Sequence, residues 1–126
     1  RLEKNIAIKI KMAAQYNSIF KNSKAIKIIF PPEKTRVVYW RYTILLNKKI
    51  NRKKFKKMVL KKGIVIRETY LPLHKHPVFK NLQNKRLINC ENISKYGFDI
   101  PSGVKLTKKN IKIIGQTILK IAETLN

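Results

Sequence analysis

Ten residues near the middle of the chain, Val37 to Leu46, set the first constraint on its fold. Val37, Val38, Tyr39, Trp40, Tyr42, Thr43 and Ile44 are β-branched or aromatic, the types that suit a pleated and packed surface. Apolar side chains fall on both faces of the run, so the sequence predicts a central strand with neighbours on both edges. Such a strand needs cover, and helical periodicity supplies it on either side. From Leu2 to Phe20, the residues Ile6, Ile10, Ala13 and Phe20 recur at helical spacing. Asn51 stands where an N-cap belongs, ahead of a helix from Lys53 to Leu60 that buries Phe55, Val59 and Leu60, and Gly63 closes it. The clearest helix is the last. Thr107 caps it, and Ile111, Ile114, Ile118, Ile121 and Leu125 repeat at alternating steps of three and four.

The stretches between these elements are less regular. Lys21 to Thr35 contains Pro31-Pro32 and reads as a linker or an edge segment. Ile64 to Ile66 reads as a short second strand, and Arg67 to Asn81, punctuated by Pro72 and Pro77, as an ordered loop of the kind that carries function. A weaker helix covers Glu91 to Lys95, and Phe98 to Gly103 reads as a turn-rich extended segment. The order predicts an α+β fold, a small mixed or antiparallel sheet covered by helices. At 126 residues one core is expected.

Charge narrows the partners. Thirty Lys and Arg against six Asp and Glu give a formal net charge of +24, enough for a positive potential of several kT over much of the surface. The densest run, Lys48 to Lys62, holds Lys48, Lys49, Arg52, Lys53, Lys54, Lys56, Lys57, Lys61 and Lys62 with no acid among them. The alternative function is therefore a stand-alone basic module binding nucleic acid or another polyanion. Against dedicated recognition, only six of the thirty cations are Arg, whose fork suits phosphates and base edges. No RNP-type aromatic strand, zinc-finger spacing or helix-turn-helix accompanies the charge either. Lys, Ile and Asn share A- and T-rich codons, which gives the basicity a compositional origin.

No stretch longer than the nine residues Met12 to Phe20 is free of charge, too short to span a bilayer, and no membrane partner is expected. The lone Cys90 and the lack of a secretory segment point to a reducing, cytoplasmic setting.

Few residues carry recognisable chemistry. His74-x-His76 with Cys90 lacks the second Cys or carboxylate cluster of a zinc site, so no metal is expected and the histidines read as loop residues. No Ser or Cys has a nucleophile's context, and four glycines build no phosphate-cradling loop. Tyr39, Trp40 and Tyr42 read as core or cross-strand aromatics rather than a stacking platform. Arg67, Tyr70 and His74 combine a bidentate cation, a phenol and an imidazole in one loop after a strand, a set that can grip a phosphate or a sugar.

That loop also carries a resemblance. Gly63 to Phe79, GIVIRETYLPLHKHPVF, is similar to the C-terminal part of the DegT/DnrJ family of pyridoxal-phosphate-dependent sugar aminotransferases. Tyr39-Trp40-Arg41-Tyr42 resembles the aromatic strand before that loop, and Tyr96 to Gly103 resembles the family's proline-small-glycine turn. Leu106-Thr107 resembles the opening of its final helix, and Arg1 and Tyr16 fit the helix linking its two domains. The Tyr39 to Tyr42 and Pro72 to Phe79 forms look most like the perosamine-synthase branch, although His76 replaces a frequent glutamine and Arg41 an apolar residue.

The resemblance implies that residues 1–126 are a single C-terminal small domain, with 1–21 a linking helix and 36–126 an α+β core like the small domain of fold-type I enzymes. It implies a substrate that is a nucleotide-linked keto sugar, faced by Arg67, Tyr70 and His74, and a homodimeric complete enzyme. Pyridoxal phosphate (PLP) would sit on a lysine of a preceding large domain, in the same or a separate chain and absent from these residues. None of the 24 lysines takes that role, so the chain alone is expected to bind no cofactor and to be non-catalytic.

Overall fold

The computed structural model describes residues 1–79 and 86–126. Four α-helices and a four-stranded sheet are found among them, in the order α1 (Leu2–Phe20), β1 (Ile26–Ile28), β2 (Tyr42–Leu46), α2 (Arg52–Lys61), β3 (Arg67–Glu68), α3 (Ile88–Tyr96), β4 (Gly97–Ile100) and α4 (Lys108–Leu125). The sheet runs β1-β2-β4-β3 with every neighbouring pair antiparallel. The α+β expectation is met.

The helix ends form where side chains can satisfy orphan backbone groups. Asn51 accepts from the Lys54 amide at 3.0 Å, and Thr107 and Asn110 form a reciprocal capping box at the start of α4. Gly63, at φ +74°, ends the α2 turn in the left-handed region that favours glycine. Helix α4 packs against both α1 and α2 on one face of the sheet. Its Gly115 permits the close approach to α1, since a Cβ there would lie 2.6 Å from Ile19 Cδ1. The aromatic centre of this core pairs Tyr16 with Tyr42 at 4.9 Å between ring centres, and Phe55 with Phe98 at 5.6 Å.

Several boundaries differ from the sequence reading. β2 is central as expected but begins at Tyr42. Tyr39 has φ +46°, a left-handed turn that breaks extension and leaves Trp40 69% exposed instead of in the core. Of the two readings of Lys21 to Thr35, linker or edge segment, Ile26–Ile28 takes the second as edge strand β1. Ile64 and Ile66 are buried and Val65 exposed, yet ladder pairing starts only at Arg67. Continued past Arg67↔Asp99, the register would set Val65 against Pro101, which has no N–H to donate. The extended reading of Phe98 to Gly103 holds for its first half. Gly97–Ile100 is an interior strand with all four residues buried. Leu60 and Ile10, read as buried, are 58% and 38% exposed. The loop from Arg67 holds two short 3₁₀ turns, Leu73–Lys75 and Pro77–Phe79, and its predicted end at Asn81 lies outside the described residues. No helix among the described residues is long and apolar enough to cross a membrane.

Candidate substrate-binding cleft

Strand alternation puts Tyr42, Ile44 and Leu46 into the core, so Arg41, Thr43 and Leu45 point to the other face of the sheet. Register then assembles a polar row. Asp99 is directly opposite Thr43 on one side and Arg67 on the other, which aligns three side chains across β2, β4 and β3 on the face away from α1, α2 and α4.

Asp99 is the one buried charged residue among the described residues, at 9% exposure. The Thr43 hydroxyl donates to its Oδ1 at 2.6 Å and Arg41 Nη1 donates to Oδ2 at 2.7 Å. Arg41 Nη2 donates to the Tyr70 hydroxyl at 2.6 Å, and its guanidinium carbon lies 4.5 Å and 4.7 Å from the ring centres of Trp40 and Tyr70. A cation stacked between two rings and bonded to a buried carboxylate is held in one geometry. The Asp99 hydrogen bond is the main cause that raises the Arg41 pKa above its ordinary value.

Helix α1 ties the walls together. Lys9 Nζ donates to the carbonyl of Trp40 at 3.1 Å and to that of Ser102, a task within the three donors of an ammonium. Burial pulls the Lys9 pKa below the usual lysine value. The Tyr16 hydroxyl donates to Pro101 O at 2.8 Å, and burial pushes the Tyr16 and Tyr42 phenols well above their ordinary pKa. The open cleft has a volume of about 280 Å³ and is lined by Trp40, Arg41, Val65, Arg67, Asp99, Ile100, Pro101 and Ser102.

The charge in this cleft is uneven. Asp99 is neutralised by Arg41, whereas Arg67 is exposed and has no carboxylate partner among the described residues. The cleft therefore offers one surplus guanidinium, beside an exposed indole face and a serine. That set suits an anionic group attached to a flat ring.

Of the three residues singled out from sequence, Arg67 lines the cleft and Tyr70 joins it through Arg41. His74 is held elsewhere. Its Nε2 lies 3.1 Å from Glu91 Oε1 on α3, and Lys75 and Arg86 also approach that carboxylate. The His74 hydrogen bond, then these cations, hold the Glu91 carboxyl below its usual range against a smaller opposing effect of desolvation. His76 and Cys90 are exposed, and among the described residues no three His, Cys, Asp or Glu side chains gather into a metal site. Sequence reading missed Asp99, Thr43, Lys9 and Ser102. One signal was available for Asp99: a carboxylate between Phe98 and Ile100, in a chain this basic, requires a cation beside it.

The sequence model of the DegT/DnrJ/EryC1/StrS aminotransferase family matches residues 1–119. The chain belongs to this family. Solved structures of similar fold include Helicobacter pylori PseC, an aminotransferase involved in the biosynthesis of pseudoaminic acid (22% identity, TM-score 0.82, 94% of this chain and 33% of that one). They also include S. venezuelae DesV in complex with a ketimine intermediate (18%, 0.83, 96% and 33%) and the sugar aminotransferase CalS13 from Micromonospora echinospora (17%, 0.82, 95% and 31%). The chain spans about a third of the length of each. None of the curated proteins compared matches it.

The DegT/DnrJ family implies PLP, whose chemistry asks for a free amine, a carboxylate for the ring nitrogen and a phosphate cup. The described residues do not fit that group. Lys9, whose amine reaches the cleft rim, is spent on the carbonyls of Trp40 and Ser102, and the two oxygens of Asp99 already accept from Arg41 and Thr43.

Proposed function

We propose that this chain is the small domain of a PLP-dependent sugar aminotransferase and forms one wall of its substrate cleft. Residues 1–21 would serve as the linking helix, the cofactor and its lysine would come from a large domain outside these residues, and the complete enzyme would be a homodimer. The substrate class is a nucleotide-linked keto sugar. Arg67 pairs with the diphosphate, Trp40 offers its exposed face to a ring of the ligand, and Tyr70 presents its hydroxyl from the Arg41 clamp. His74, bonded to Glu91, shapes the loop that carries Tyr70. These residues bind and orient, and none is asked to move a proton.

The observation that carries this reading is the unpartnered Arg67 beside an Asp99 already neutralised by Arg41. Trp40 is the single tryptophan of the chain, so its fluorescence reports on the cleft. Titration with a nucleoside diphosphate is expected to change Trp40 emission, and Arg67→Ala is expected to weaken binding about 10- to 100-fold, the loss of a charge-assisted hydrogen bond. In the complete enzyme the same substitution should raise KM more than it lowers kcat. Unchanged affinity in both settings defeats the assignment.

A further inference from the structure

Arginine and lysine are distributed differently over this molecule. Arg36, Arg41, Arg52 and Arg86 each meet a carboxylate, whereas among the described lysines only Lys56 and Lys75 do. All six acidic side chains lie within the described residues, so this is a full account of the carboxylate side chains available.

The asymmetry is sharpest on α2. At about 100° per residue, Phe55 and Val59 share one side of the helix and are buried. Arg52 and Lys56 lie next to them and reach Glu68 of β3. Lys53, Lys54, Lys57 and Lys61 fall within an arc of about 100° on the remaining side, all exposed and none paired. Steps of four along a helix advance about 6 Å, so Lys53, Lys57 and Lys61 form a row of positive charge. This surface belongs to the helix layer, on the opposite side of the sheet from the cleft.

We propose that the outer face of α2 is a docking surface for the phosphate backbone of nucleic acid, bound without regard to base sequence. Four neighbouring ammonium groups with no internal counter-charge suit a polymer of phosphates, which releases counterions on binding. The row has neither arginine nor an aromatic side chain, so it can position on phosphates but has nothing that reads base edges. An anionic membrane is a poorer match. A helix lying in a bilayer surface needs a free apolar face, and that of α2 is committed to the protein's own core, with Leu60 the one apolar side chain exposed on the helix.

The test separates this row from the general basicity of the chain. Binding to two duplex DNAs of unrelated sequence is measured between 50 and 200 mM salt for wild type and two quadruple variants of equal charge. One carries Lys53→Gln, Lys54→Gln, Lys57→Gln and Lys61→Gln. The other carries Lys4→Gln, Lys11→Gln, Lys109→Gln and Lys120→Gln, at exposed positions on α1 and α4. Lysine and glutamine have similar helix propensity, and circular dichroism checks that both variants keep wild-type helix content. The α2 variant is expected to flatten the slope of log K against log salt by about 3 to 4, about 0.9 per lost phosphate contact, equally on both duplexes. The other variant should leave the slope near wild type. Equal loss in both variants, no loss in either, or a strong preference for one duplex overturns the proposal. So does a result in which the α2 substitutions abolish binding to phosphatidylserine vesicles but spare DNA.

Discussion

The two cationic regions of this molecule, the cleft on the open face of the sheet and the outer row of α2, are built on different physical plans. In the cleft, a guanidinium is fixed by a buried carboxylate and two aromatic rings, one of which also accepts through its hydroxyl, and a second guanidinium is left over. On α2, ammonium groups stand side by side with no partner, each costing its neighbours a little repulsion. Positive charge that is wired into hydrogen bonds supports the fold and fixes geometry. Charge left in solvent acts only at a distance, through screening-sensitive attraction.

That contrast can be broken most strongly at its centre. Asp99→Ala removes the anchor of the cleft and orphans the Thr43 hydroxyl and the Arg41 guanidinium, and a loss of roughly 2–3 kcal/mol in unfolding free energy is expected from urea denaturation. The same variant should shift Trp40 emission, because the cation stacked on the indole loses its tether. Tyr16→Phe, which deletes the hydroxyl donated to Pro101, is expected to cost about 1 kcal/mol.

The α2 row should respond with the opposite sign. Lys57 has like charges four residues away on both sides, Lys53 and Lys61, so Lys57→Glu is expected to stabilise the chain by about 0.5–1 kcal/mol. Smallest of all, Trp40→Ala should alter stability by less than about 0.5 kcal/mol, since the ring is mostly exposed, although it would remove the optical signal.

Acid sharpens the same comparison. The Glu68 carboxyl is held below its ordinary value chiefly by the Lys56 hydrogen bond, and that of Glu91 chiefly by His74. A carboxylate whose folded pKa is depressed contributes stability above its unfolded pKa and loses it as pH falls through the folded one. Stability should therefore drop below the usual carboxylate range, and Glu68→Gln should make that drop shallower. Neutralising a lysine of the unpaired row should leave the shape of the acid limb unchanged.

The elements legible from sequence were those whose signals are local. The terminal helices, the Asn51 and Thr107 caps and the end of α2 at Gly63 all depend on neighbours within a few positions. The extended course of β4 is legible, but Gly97, Asp99 and Pro101 are turn residues by type and hide its place as an interior strand. Asp99 earns its interior place only from Arg41 and Thr43, 58 and 56 positions away. The start of β2 was hidden by Tyr39, whose left-handed backbone no β-propensity forecasts. For the cleft, residue type was enough to pick out Arg67 and Tyr70. It could not show that His74 is occupied by Glu91, or that Lys9 reaches across from α1, because register and helix packing decide such pairings.

The reach of Lys9 gives the first helix a mechanical meaning. One ammonium holds carbonyls that belong to the loop before β2 and the loop after β4, while its own backbone rides on α1. Lys9 therefore fixes Trp40 and Ser102 relative to one another and to the helix layer, so that loss of this one ammonium would free both rims of the cleft together.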